Sequence, residues 1–240
     1  MLSLFTDPLN IVKIIAVMVV SYLLGSLNIA IIVTKAFTGE DIRKLGSGNG
    51  GFTNVMRSVG TTAGIITFVG DFLKCVIAVV IGGLVFKTMN ASLEPVELVG
   101  YGKYLAGMCC FLGHVFPIYF GFKGGKGVVT VAALLAVINP VIFAIAITAF
   151  LIIFVSTRIV SISSIISGVV VIIATFLVTY FYSYRSAGTV PFEYVVVVTT
   201  MTFVICGAVI AKHHANIVRL IHGEEKKLTL KKKEPKGDNQ

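Results

Sequence analysis

The chain has 240 residues, of which 56% are hydrophobic and 13% charged, with a formal net charge of +9. A soluble domain carries about a quarter charged residues, so a soluble globular protein is excluded and a polytopic membrane protein remains. The positive charge does not argue for nucleic acid, because much of it sits at span ends and in the tail Lys226-Lys227 through Lys231-Lys232-Lys233, where topology and anionic lipid account for it.

Seven apolar spans are predicted, roughly over residues 11–34, 61–87, 99–116, 127–138, 140–157, 159–182 and 193–212, from runs approaching or reaching the length a bilayer crossing needs. The first is too long for a signal peptide's apolar core and no small-residue cleavage site follows it, so it is expected to be retained. The fourth is too short for a full crossing. Asn139-Pro140 separates it from the fifth, which predicts a tight hairpin of uneven depth. Lys35, Arg43, Lys44, Arg57, Lys123, Lys126 and Arg158 fall in alternate connections, and Asp7, Glu94, Glu97 and Glu193 fall on the opposite side, with Lys87, Lys103 and Arg185 as counter-evidence. The positive-inside rule then puts the N-terminus outside and the C-terminus in the cytoplasm. The expected architecture is all-α: one integral-membrane domain over 1–223, and a basic, disordered cytoplasmic tail over 224–240. Cys75, Cys109, Cys110 and Cys206 lie in apolar runs without metal-ligand spacing, and read as small buried hydrophobes. No metal-ligand cluster is visible, so no metal or other cofactor is expected.

Three polar strings interrupt the spans, all on the side assigned to the cytoplasm. The first, from Gly46 to Arg57, carries Gly46, Gly48 and Gly51 in a G-x-G-x-x-G spacing. No strand precedes it, which argues against a dinucleotide fold. It opens the second span, where a glycine-rich backbone and a helix N-terminus suit an anion. Ser47, Asn49, Thr53 and Asn54 add hydrogen-bonding groups, and Arg57 adds a planar fork suited to phosphate. The bland alternative is a polar turn with a topology-setting arginine. In the second string, Gly113-His114-Val115-Phe116-Pro117 leads into Phe122-Lys123-Gly124-Gly125-Lys126-Gly127. A Walker loop is excluded, since Phe120 and Gly127 stand where Gly and Ser or Thr are needed. Two lysines on a flexible loop remain, a cradle for phosphate. In the third, His213, Asn216 and Arg219 follow at intervals of three on one helical face; an interfacial amphipathic helix would look the same. Within the second span Asp71 and Lys74 stand one turn apart, an ion pair of either structural or functional use. Ser26 and Asn28 in the first span could pack helices or line a polar pocket.

Together the strings resemble the bacterial membrane acyl-phosphate:glycerol-3-phosphate acyltransferase family. The first fits Gly-Ser-Gly-Asn-x-Gly-x-Thr-Asn-x-x-Arg. The second fits Gly-His-x-Phe-Pro and then Phe-Lys-Gly-Gly-Lys-Gly-Val-x-Thr through Thr130. The third fits His-x-x-Asn-Ile-x-Arg-Leu-x-x-Gly-x-Glu from His213 to Glu225. The resemblance implies transfer of a fatty acyl group from acyl phosphate to the sn-1 hydroxyl of glycerol 3-phosphate at the cytoplasmic membrane. Lysophosphatidate and inorganic phosphate would be the products, the first step of bacterial phospholipid synthesis. It implies catalytic roles for Ser47, Arg57, His213 and Asn216. Substrate contacts would come from Gly46, Gly48, Asn49, Gly51, Thr53, Asn54, Lys123, Gly124, Gly125 and Lys126. Glu225, beyond the helix, is expected to be structural. Membrane lipids are the implied surroundings, and the soluble enzyme that makes acyl phosphate is a candidate partner. The base is either His213 or the donor's own phosphate; no acidic partner is spaced to orient the histidine. The His-x-x-x-x-Asp pair of thioester-using acyltransferases is absent, since Tyr119 follows His114 and Val218 follows His213 at that distance. Asn28 stands where the family commonly has Pro, and Lys212, His214 and Ala215 also depart from its pattern. The competing reading is a transporter or exchanger of an organic phosphate. Against it, no internal repeat is visible and the polar groups cluster at one face.

Overall fold

A computed structural model of the chain describes residues 2–228, and every regular element among them is helical. Ten α-helices follow in order: α1 (Pro8–Ser26), α2 (Ile29–Thr38), α3 (Phe52–Ser58), α4 (Thr61–Lys87), α5 (Pro95–Val115), α6 (Val128–Ile138), α7 (Pro140–Thr157), α8 (Val160–Leu177), α9 (Phe192–Lys212) and α10 (His214–Ile221). A π-helical stretch, Val178–Ser186, prolongs α8. Five segments are long and apolar enough to cross a membrane: Pro8–Thr38 taken through its break, α4, α7, α8 with its π extension, and α9. The 21-residue α5 carries Glu97, Lys103 and His114. The 11-residue α6 is about 16 Å long at 1.5 Å per residue, well short of a hydrocarbon core of about 30 Å.

The α6–α7 hairpin forms as expected, and Asn139 explains its tightness. It closes α6, its Oδ1 accepts from the N–H groups of Val141 (2.9 Å) and Ile142 (3.2 Å), and Pro140 follows at the first helical position. The first span is present but is not one continuous helix: the chain breaks at Leu27–Asn28. Asn28 Oδ1 accepts from Ile31 N–H at 3.1 Å and caps α2, and Leu27 turns extended. An asparagine that satisfies orphan N–H groups competes with helix continuation. The first polar string opens the separate short helix α3 rather than the second span; Gly60, at φ +129°, divides α3 from α4.

Helices α1, α4 and α5 pack in one group, and α7, α8 and α9 in a second, with α6 between them. The contact of α1 with α5 is close enough to require glycine. A Cβ on Gly113 would stand 2.2 Å from the Tyr22 carbonyl oxygen. Small residues at such crossings let membrane helices approach, where dispersion rather than the hydrophobic effect must hold them. One end of the molecule is knitted by Asn10 donating to Asn90 O (2.8 Å) and Lys13 to Thr88 O (2.7 Å). The opposite end gathers the three polar strings. Residues 224–228, which the sequence reading gives to the tail, run back over this end, with Leu228 N–H donating to Arg158 O at 2.8 Å. The rest of the expected tail, 229–240, lies outside the described residues.

Candidate functional site

The first loop is shaped by Asn54. Its Oδ1 accepts from Ser47 N–H at 3.0 Å, and its Nδ2 donates to the carbonyls of Ile42, Leu45 and Asn49 at 3.3, 3.0 and 3.1 Å. With its amide so committed, this buried side chain builds the loop rather than offering a donor to a ligand. The N–H groups of Gly48 and Gly51 are also spent, on Leu45 O and Asn49 O. Three of the loop's backbone donors, those of Ser47, Gly48 and Gly51, are thus engaged within the loop itself. Gly46, Ser47, Asn49, Gly51, Thr53, Asn54 and Arg57 face the cavity described below, and Gly48 does not. Arg57 Nη2 donates to Lys226 O at 2.8 Å.

The second loop departs further from expectation. The N–H groups of Gly124 and Gly125 bond Val115 O (3.2 Å) and His114 O (3.1 Å), satisfying carbonyls that the end of α5 leaves without helical partners. These glycines are packing residues outside the cavity. Lys123 is exposed and also outside it. Arg43, paired with Asp41 at 2.7 Å, donates to Phe120 O (2.6 Å) and Lys123 O (3.4 Å), tying the two loops together. Lys126 alone of the two lysines points inward, its ammonium bonded to Asn216 Oδ1. Burial pushes it down to about 8; Glu225 opposes that shift, and Arg219 and Arg57 reinforce it.

The third string supplies the opposite wall. His213, at the junction of α9 and α10, is 2% exposed, and its Nδ1 lies 2.8 Å from Val209 O. A carbonyl only accepts, so the proton is assigned to Nδ1 and Nε2 keeps a lone pair. Burial, and then the charge of Lys126, pushes its pKa down to about 4. Asn216 Nδ2 donates to Glu225 Oε1 at 2.6 Å; Ser161 Oγ donates to the same oxygen at 2.8 Å, and Arg219 Nε to Oε2 at 2.7 Å. Burial alone would raise the Glu225 pKa, but these three bonds outweigh it and hold the carboxyl below its usual range. Sequence reasoning set Glu225 aside because it lies past α10. The chain reverses at Gly223, φ +72°, and brings it back. Ser161 was missed as well; the run Ser161, Ser163, Ser164, Ser167 in an otherwise apolar helix was its signal.

These residues line a cavity of about 700 Å³ with two chemically distinct parts. The polar end holds Arg57, Lys126, Arg219, His213, Asn216 and Glu225. From it an apolar trough continues between the helices past Phe68 and Phe72 of α4, Leu135 of α6, Phe150 of α7 and Val171 of α8. Arg57, Lys126, Arg219 and Lys226 outnumber the lining carboxylates Glu225 and Asp71, which suits an anion, and the trough suits an alkyl chain. Among the described residues no group of three or more His, Cys, Asp or Glu could hold a metal ion.

The family described as glycerol-3-phosphate acyltransferase matches residues 15–223. A glycerol-3-phosphate acyltransferase of Clostridioides difficile (strain 630) is 36% identical over 228 residues, covering 93% of this chain and all of that protein. A glycerol-3-phosphate acyltransferase of Bacillus subtilis (strain 168) is 36% identical over 210 residues, covering 88% and 95% of the two chains. Among solved structures, the fold resembles that of PlsY (YgiH), an integral membrane glycerol 3-phosphate acyltransferase, in its glycerol 3-phosphate form. The TM-score is 0.73 and the identity 31%, over 90% of this chain and 96% of that one. The lysophosphatidic acid form of the same protein gives a TM-score of 0.70 at 30% identity, over 90% and 95%.

Proposed function

The chain belongs to the glycerol-3-phosphate acyltransferase family, and from that premise we propose that it moves a fatty acyl group from acyl phosphate to the sn-1 hydroxyl of glycerol 3-phosphate. The observation that carries this reading is a cavity whose cation-lined polar end runs into an apolar trough. Both substrates are phosphate anions, and one of them has a long alkyl chain. The trough takes that chain, and Arg57, Lys126 and Arg219 take the phosphates, Arg57 exchanging the Lys226 carbonyl for substrate oxygens. Ser47 and Thr53 add hydroxyl donors beside Arg57. Lys123, Gly48, Gly124 and Gly125 make no direct contact in this reading, and Asn54 acts by holding the loop.

The acceptor hydroxyl oxygen attacks the acyl carbonyl carbon, the bond from that carbon to the phosphate oxygen breaks, and phosphate leaves. His213 Nε2, with its lone pair, and Asn216 orient the hydroxyl. A histidine with a pKa of about 4 is a poor proton acceptor at neutral pH, so the hydroxyl proton goes to the departing phosphate. An acyl phosphate already carries a good leaving group, so positioning and charge neutralisation are the protein's contribution. We place the polar end at the cytoplasmic face, with seven crossings, the N-terminus outside and lipid around the helices. Acyl phosphate arrives from the soluble enzyme that makes it.

The test is product formation by purified protein in lipid vesicles. Labelled glycerol 3-phosphate is supplied with palmitoyl phosphate, palmitoyl carrier protein or palmitoyl coenzyme A in parallel. Lysophosphatidate from acyl phosphate alone, lost in Arg57→Ala, is the expected result. Product from a thioester donor would overturn the donor. Uptake of label without product would replace the enzyme by a transporter.

A further inference from the structure

At the floor of the cavity, with Asp71 and His114 in its lining, lies a cluster that the reaction above does not use. Asp71 and Lys74 of α4 and His114 of α5 are 1%, 5% and 4% exposed. Lys74 Nζ stands 2.7 Å from Asp71 Oδ1, 2.7 Å from the Leu27 carbonyl oxygen and 3.1 Å from His114 Nδ1; His114 Nδ1 is 3.5 Å from Asp71 Oδ1. An ammonium has three hydrogens and no lone pair, so the bonds to Leu27 O and His114 Nδ1 are both donated by Lys74, with Asp71 beside it as the counter-charge. The same count assigns the lone pair of His114 to Nδ1 and its proton to Nε2. Buried ion pairs contribute little net stability, and apolar replacements of similar shape are often neutral. Within a membrane span, such groups call for a reason beyond holding helices together.

The reason lies in what the cluster touches. The carbonyl it takes from Leu27 belongs to the break between α1 and α2. The next residue, Asn28, donates from Nδ2 to Gly50 O at 3.3 Å in the first loop. On its other side, the His114 ring lies directly under Gly125. A Cβ there would be 2.2 Å from His114 Nε2 and 2.8 Å from Gly50 O, while the His114 carbonyl accepts the Gly125 N–H at 3.1 Å. The two glycine loops therefore meet over this imidazole, and Lys126 is the residue that follows. We infer that Asp71, Lys74 and His114 form a positioning unit that sets the spacing of the two loops and thereby holds the Lys126 ammonium at Asn216. The three side chains act through the loops, and no contact with substrate is assigned to them. Their effect on turnover rests on the reading that Lys126 binds the phosphate of glycerol 3-phosphate.

Three variants separate this from a purely structural role. His114→Leu removes the acceptor, His114→Asn keeps one near the place of Nδ1, and Asp71→Asn with Lys74→Met removes both charges together. In reconstituted protein, His114→Leu and the double variant are expected to raise KM for glycerol 3-phosphate about tenfold or more. Their kcat and their KM for palmitoyl phosphate should stay within about threefold of the parent, and His114→Asn should restore KM to within about threefold. An unchanged glycerol 3-phosphate KM in folded His114→Leu overturns the inference. So does a loss of thermal stability with no change in either constant. A readout free of turnover is the distance between spin labels on Lys44→Cys and Lys123→Cys, both exposed, against buried native cysteines. The distribution should be narrow in the parent and His114→Asn, and broadened or shifted in His114→Leu. An identical distribution in all three overturns the inference even if no donor gives product, whereas an inactive parent with a shifted His114→Leu distribution sinks only the acyl-transfer reading.

Discussion

At the scale of single residues, two ionisable groups in one cavity titrate on opposite sides of neutrality. Lys126, held at about 8, is charged below that pH and loses its charge above it, so affinity for a phosphate falls as pH rises through 8. KM for glycerol 3-phosphate should climb by up to about tenfold per pH unit beyond that point. Lys126→Arg should abolish the climb, because a guanidinium stays protonated. His213, at about 4, is neutral throughout this range. His213→Gln should lower kcat without moving the pH profile between pH 7 and 9, and a shifted profile would mean that the histidine carries the proton after all. The two lysines of the second string should also part company. Lys126→Ala loses charge-assisted bonds worth about 1.5–3 kcal/mol, a drop in kcat/KM of roughly ten- to 150-fold. Lys123→Ala, outside the cavity, should stay within about twofold. Their different fates were not legible in the sequence. Lys123 and Lys126 are chemically alike, and only the docking of Gly124 and Gly125 onto the end of α5 turns one outward and the other in. The bonds of Asn54 to its own loop were not legible for a related reason: a polar side chain in a glycine loop looks the same whether it faces ligand or binds its own backbone.

At the scale of elements, the long apolar helices were legible because their apolar runs are long and their boundaries carry strong signals. Asn139-Pro140 marks a helix end and a helix start in two residues, and the structure uses both. The break at Leu27–Asn28 was not legible, because apolar residues continue on both sides and one asparagine in a span reads equally well as a packing contact. Its value shows only when Lys74 and Gly50 arrive from elsewhere to take the Leu27 carbonyl and the Asn28 amide. Asn28→Ala removes a cap worth about 1 kcal/mol; the melting temperature in detergent should fall by about 2–4 °C for a chain of this size. Asn28→Pro should cost less stability. Its φ of −82° lies near the value proline imposes, and Leu27, at φ −66° and ψ 93°, is already out of the α region that proline disfavours for the residue before it. A larger loss in the proline variant than in the alanine variant, since both lack the amide, would mean that the break does not accommodate the proline ring.

At the scale of the whole molecule, charge and aromatic residues mark opposite ends. The strings with Arg57, Lys126 and Arg219 converge at the cavity. At the other end Tyr180, Tyr184 and Phe192 pack with centroids 5.6 to 6.3 Å apart, near the end of α8 and the start of α9, as an aromatic belt at a membrane surface would. A phosphate dianion does not cross a bilayer unaided, so the end that holds the cations must face the compartment that supplies glycerol 3-phosphate. The positive-inside rule predicts that this end lies in the cytoplasm, and cysteine mapping checks that prediction, since all four native cysteines are buried. Ser92→Cys, in the exposed turn before α5, should react with a membrane-impermeant maleimide in intact cells. Lys123→Cys, exposed on the loop that leads to Lys126, should react only after permeabilisation. The reverse pattern would put the anion site outside, cut off from soluble acyl phosphate, and would count against acyl transfer as strongly as a failed assay. Labelling of both positions from outside would instead place the α4–α5 hairpin, and with it the seven-crossing count, in error.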